Sequence, residues 1–222
     1  MLKPYELKLQ GIKEEILKIG TDVIESLELC LKALKEENIN DLKNIEITEK
    51  KLQIKSNEID NLIVTTLALY SPEAKDLRQL VAFLKITNEL VRTGSNAKDF
   101  AKMFKKSFTE DLNTNIILEY TIPLLKSALL SLQTSISIID EINISHIEEK
   151  YHRVVVEESK TDDLYLMIEK NILKLISKHL DLSKEYFDIL SSLRRLEKIA
   201  DRAVSIAKLL QFAQVGGEIV QS

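Results

Sequence analysis

Apolar residues recur at three- and four-residue steps along almost the whole chain, the spacing of one face of an α-helix. The first run is Leu9, Ile12, Ile16, Ile19, Val23, Leu27, Cys30 and Leu34, and it lapses near Asn38. Asn40 or Asp41 is placed to cap the next helix. That helix carries Ile45, Leu52, Ile59, Leu62, Ile63 and Leu67. It is expected to stop at Ser71-Pro72, because proline disfavours helix in the residue before it. A third run follows from Leu77 to Phe104, then a polar stretch over residues 105–115. The fourth run, Ile116 to Ile139, contains Pro123, which should bend it. Asn143 or Ser145 starts the fifth, Ile147 to Leu175. The sixth runs from Tyr186 to Leu210 and ends at Gly216-Gly217. Helices of about 25–33 residues are roughly 40–50 Å long. Long helices joined by short loops predict an antiparallel bundle.

The two halves repeat. Leu90 to Lys102 can be laid on Leu196 to Lys208 so that the leucine, two alanines and the final lysine coincide. The expectation is an all-α chain of two tandem three-helix bundles from an internal duplication, residues 1–106 and 107–222. Composition agrees, since 5 Gly and 3 Pro in 222 residues are too few for a turn-rich β fold. The single Cys30 excludes an internal disulfide and lies on the apolar face of the first helix, where it reads as core. With no leader-like apolar run at the N-terminus and no span near ~18 uncharged residues, a cytoplasmic protein without a membrane span is expected. Net charge is −4, and no dense basic cluster is interleaved with aromatics, which disfavours nucleic acid as a partner. Residues 1–106 hold 18 basic and 17 acidic side chains, so the acid excess lies wholly in residues 107–222.

Candidate chemistry is confined to carboxylates. Acids four apart share a helix face and can reach one cation. Four such pairs occur: Glu37/Asp41, Glu158/Asp162, Asp181/Glu185 and Glu197/Asp201. Random placement of 35 acids in 222 positions gives about five, so spacing alone describes only a solvated charged face. Context separates two of the pairs. Glu197 and Asp201 lie in the repeated helix beside Ala200, Ala203 and Ala207, which permit close packing. Glu158 and Asp162 precede the apolar face of the fifth helix. If these helices are neighbours, the four carboxylates converge, at about 3 kcal/mol per like-charge contact at ~5 Å and an effective dielectric near 20. Such a cluster needs basic partners such as Lys198 and Arg202, or a hard cation: iron, manganese, magnesium or calcium. A ferritin-like di-iron site needs two Glu-x-x-His motifs, and only Glu149–His152 fits. No glycine-rich phosphate loop and no His-Glu-x-x-His motif is present.

Pro72-Glu73-Ala74-Lys75-Asp76-Leu77-Arg78 and Leu196-Glu197-Lys198-Ile199-Ala200-Asp201-Arg202 resemble characteristic segments of the PhoU family of phosphate-signalling regulators. The resemblance covers nearly the whole chain and implies two tandem three-helix bundles. It implies a non-enzymatic role, damping the phosphate-starvation response through contacts with a sensor histidine kinase and the ATPase subunit of the phosphate ABC transporter. It also implies a metal cluster on Glu158, Asp162, Glu197 and Asp201 of the second bundle. In the first bundle the matching positions are Ser56, Asp60, Val91 and Ser95, so no metal is expected there. Regulation of another transporter or ion channel is the alternative on the same fold, a carboxylate-bridged metalloprotein a more distant one. Whether the chain forms a homodimer is left open by the sequence.

Overall fold

The computed structural model describes residues 3–45, 47–72 and 74–216. Six α-helices carry the fold: α1 Lys3–Lys35, α2 Glu49–Tyr70, α3 Ala74–Ser107, α4 Thr114–Ile136, α5 Ile144–Lys178 and α6 Ser183–Val215. Short 3-10 helices at Ile39–Asn44 and Leu180–Leu182 precede α2 and α6. No strand occurs among the described residues. Helices α1–α3 pack on one another, as do α4–α6, and the two groups meet through α3 against α6 and α1 against α4.

Most helix ends follow the local chemistry expected of them. Ser71 takes a left-handed conformation (φ 44°) before Pro72 and donates its N–H to the Leu67 carbonyl, ending α2. Asn113 caps α4 by accepting from the Ile116 N–H at 3.1 Å, and Asn143 caps α5 by accepting from the Ser145 N–H at 2.9 Å. Gly216 (φ 94°) ends α6, with its N–H on the Phe212 carbonyl; Gly217 lies outside the described residues.

The start of α2 differs from expectation. Asn40 and Asp41 lie inside the 3-10 helix, and Thr48 is the cap, its hydroxyl accepting from the Lys51 N–H. The side chains of Asn38 and Asn44 bond Asp41 instead, which consumes the carboxylate a helix would have used. Helix α4 runs on through Pro123. It is also long and apolar enough, by composition, to cross a membrane, yet 56% of its apolar window is buried inside the fold.

The core follows the predicted stripes. Ile12, Ile16, Ile19, Val23, Leu27, Cys30 and Leu34 of α1 are fully buried. Each large aliphatic side chain so buried contributes about 1.5–3 kcal/mol. Burial pushes the Cys30 thiol up to about 12, so it is an inert core group. Helices α3 and α6 are well enclosed, with 16 of 34 and 15 of 33 residues buried, as is α4 with 13 of 23, against 7 of 35 in the outer helix α5. Tyr186 at the start of α6 accepts from the Asn113 N–H at 3.2 Å and so ties the loop between the bundles to α6.

Gly94 marks the tightest helix contact. A Cβ there would collide with Leu52 of α2 and come within 3.3 Å of Val23 of α1. Gly94→Ala is expected to cost about 1–3 kcal/mol through overpacking. Gly11, in the middle of α1, has nothing within 4 Å of its would-be Cβ. Gly11→Ala is expected to stabilise by about 0.5–1 kcal/mol. Urea denaturation of both variants checks the pair.

Candidate metal centre between α5 and α6

Helix periodicity puts Glu158 and Asp162 on one face of α5, and the packing of α5 on α6 brings Asp201 to them. One carboxylate oxygen from each of the three lies within 4.8 Å of the other two. All three side chains are half-buried. Glu158 and Asp201 border a groove of about 320 Å³ whose other walls include Lys198, Arg202 and Lys208. The Oδ1 atom of Asp162 is buried and has no hydrogen-bond partner among the described residues.

The fourth acid named from the sequence, Glu197, does not join this group. It is only 8% exposed, because α6 is enclosed on both sides. Arg194 Nη1 sits 2.7 Å from its Oε2, and Lys198 Nζ 4.0 Å from its Oε1. The Arg194 contact is an ion pair rather than an aligned hydrogen bond, since Oε2 has no hydrogen-bond donor. Arg194 is itself held over the Tyr165 ring of α5, 5.2 Å from its centre. This aromatic–cation–carboxylate stack holds Glu197 in an ion pair outside the group of three. Its only sequence signal is the i, i+3 spacing of Arg194 and Glu197, too common to single out.

The two expected basic partners divide. Lys198 reaches Asp201 at 2.5 Å. Arg202 turns to the other bundle and pairs with Glu89 of α3 at 2.8 Å. The remaining repulsion is visible in proton affinities. Burial first, then the charges of Asp162 and Asp201, raises the pKa of Glu158 above the ordinary carboxylate value. Burial and Asp201 do the same to Asp162. Glu197 is raised chiefly by burial, against the opposing pull of Arg194 and Lys198, with Asp162 and Asp201 adding to the rise.

Oxygen donors without nitrogen or sulfur suit a hard cation. The close trio and the orphaned Asp162 oxygen fit one. The corresponding place in the first bundle is built differently. Ser56 and Val91 are buried, Ser95 bonds the Val91 carbonyl, and Asp60 accepts from the Thr87 hydroxyl at 2.8 Å. Its one carboxylate is thus already served by a neutral donor. The three histidines are exposed and stand apart from the trio, with His146 3.7 Å from Glu141.

Because folding raises these pKa values, the folded state binds protons more tightly than the unfolded chain. Protonation therefore stabilises the fold as pH falls toward the ordinary Glu and Asp values, and that contribution is lost as pH rises through the raised folded values. Asp201→Asn removes the charge that raises both neighbours. Its metal-free melting temperature is expected to gain on wild type at neutral pH, with the gain narrowing in acid. Calorimetry across this range checks it.

The PhoU domain model matches the chain twice, over residues 16–104 and 124–210. Among curated relatives, a protein of Clostridium acetobutylicum named phosphate-specific transport system accessory protein PhoU homolog is 23% identical over 218 residues, covering 98% of this chain and 97% of that protein. A protein of the same name from Xylella fastidiosa is 24% identical over 221 residues, 99% and 90% of the two chains. The fold is similar to the crystal structure of PhoU from Pseudomonas aeruginosa, with TM-score 0.82 at 18% identity, covering 96% of this chain and 100% of that one. The phosphate transport system regulatory protein PhoU from Streptococcus pneumoniae gives 0.79 at 20% identity, with 98% and 100% covered. With both halves matched, over well more than half its length, the chain belongs to the PhoU domain family.

Proposed function

We propose that this chain is a non-enzymatic cytoplasmic regulator of phosphate uptake and phosphate-starvation signalling. The observation that carries the reading is the double PhoU-domain match, joined to full-length relatives named as accessory proteins of phosphate-specific transport. Its partners in this reading are a sensor histidine kinase and the ATPase subunit of the phosphate transporter. A rigid pair of bundles with long exposed helix faces suits docking on such domains.

In the same proposal, the second bundle holds a hard metal, iron or manganese, magnesium or calcium. Glu158, Asp162 and Asp201 are the ligands. The metal supplies positive charge that offsets the repulsion among them and staples α5 to α6. Glu197 serves as a further ligand only when Arg194 releases it. The first bundle, with Ser56, Val91 and Ser95 in place of acids, holds none.

Deletion of the gene is expected to derepress a phosphate-starvation reporter at high phosphate, with restoration by the intact chain. Tagged protein is expected to recover the sensor kinase or the transporter ATPase, more at high phosphate than at low. An unchanged reporter together with recovery of only an unrelated channel overturns this function in favour of a regulator of another transporter.

Elemental analysis of purified protein tests the metal separately. Glu158→Ala and Asp201→Ala are each expected to reduce metal affinity by about ten-fold or more, and Glu197→Ala by less. Metal content unchanged in Asp201→Ala overturns the site, whatever the reporter does.

A further inference from the structure

The first bundle carries a second groove, of about 430 Å³, between the 3-10 helix Ile39–Asn44 and the C-terminal part of α3. Five lysines line it: Lys43, Lys98, Lys102, Lys105 and Lys106. Its floor is Leu42, Ile45 and Ala101. The four lysines of α3 follow i, i+4, i+7 and i+8 spacing, so they share one face over about 12 Å of helix. Lys43 faces them from a segment more than fifty residues away in the chain.

None of the five makes an ion pair among the described residues. The nearby acid Asp41 is occupied by Asn38 and Asn44. Like charges gathered with no ion pair among the described residues repel one another and gain from a shared anion. Two of them, Lys105 and Lys106, also complement the C-terminal end of the α3 dipole, but Lys43 and Lys98 do not share that role. The repeat sharpens the contrast. Extending the overlay of Leu90 on Leu196, Lys98, Lys102, Lys105 and Lys106 correspond to Val204, Lys208, Gln211 and Phe212. The lysine face belongs to the first bundle alone.

The lining also narrows the chemistry of the occupant. One wall is α3 and the other is the 3-10 helix with the single extended residue Ile45 at its end, so neither gives an extended acidic peptide a strand edge to pair with. No arginine is present for bidentate capture of carboxylates. No aromatic side chain offers a stacking platform for nucleic acid. What remains is a row of mobile point charges over an apolar floor, in a space of small-ligand size. We propose that this groove binds a phosphate chain, the moiety shared by nucleoside triphosphates and inorganic polyphosphate. The ammonium groups of the five lysines match its charges, and a base or ribose, where present, lies on Leu42 and Ile45.

The test is calorimetric titration of the full-length, metal-free protein with ATP, with tripolyphosphate and with long-chain polyphosphate. Saturable binding that weakens as salt is raised is expected. Tighter binding of ATP than of tripolyphosphate identifies a nucleotide as the source; equal binding, with long chains tighter, identifies polyphosphate. Lys102 and Lys106 are exposed, so the double variant Lys102→Gln/Lys106→Gln is expected to keep its melting temperature and to bind about ten-fold more weakly or worse. The control Lys170→Gln/Lys174→Gln, on exposed positions of α5, is expected to bind as wild type. Absence of binding by all three anions overturns the proposal. So does an equal loss in both double variants, or an affinity indifferent to salt. Light scattering that shows a dimer dissolved by Lys102→Gln/Lys106→Gln also overturns it, because a second copy then fills the groove.

Discussion

The packing of α3 against α6 is the constraint on which the rest of the molecule depends. Each is the third helix of its bundle, and each also forms the principal contact with the other bundle. A helix packed on two sides must carry small or apolar residues over a wider arc than an outer helix. Ala97 and Ala101 of α3 and Ala200, Ala203 and Ala207 of α6 are accordingly buried. The ionic groups that lie at the seam are then held by partners at short range. Arg202 reaches across the seam to Glu89, and Glu197 is held by Arg194.

That enclosure also explains the difference between the two ends of the carboxylate cluster. Glu158 and Asp162 stand on α5, an outer helix, and are half-buried, so they keep some contact with water. Glu197 stands on an inner helix and needs a protein cation. The stack of Tyr165, Arg194 and Glu197 satisfies it and takes it out of the trio. A shared motif in sequence thus resolves into two environments, three acids gathered within reach of one another and one in an internal ion pair.

The duplicated bundles have diverged in charge while keeping their architecture. In the first, the position equivalent to the trio is closed by a Thr87–Asp60 hydrogen bond and buried Ser56 and Val91. Its surplus charge is instead positive and sits elsewhere, on the lysines beside the 3-10 helix. The near-neutral sum of the first half conceals this, because its acids are dispersed over other surfaces. Net charge by segment located the acid excess of the second half correctly but could not separate clustered from scattered charge in the first.

Helix number, core stripe and most boundaries were legible along the chain, because each rests on neighbours within four residues. The stops at Ser71 and Gly216 and the cap at Asn143 are local hydrogen-bonding facts. The start of α2 was not legible, since Asp41 had two nearby amides competing for it. Spacing placed Glu158 with Asp162 and Glu197 with Asp201, each pair on one helix face, and could go no further. Which of the four meet depends on how α5 lies on α6 and on where Arg194 finds its aromatic face. Whether Lys43 meets Lys98 likewise depends on how the 3-10 helix folds back on α3. Periodicity carries information over one or two turns of helix. The distances between charges on different helices are decided by packing, and packing exists only in the tertiary structure.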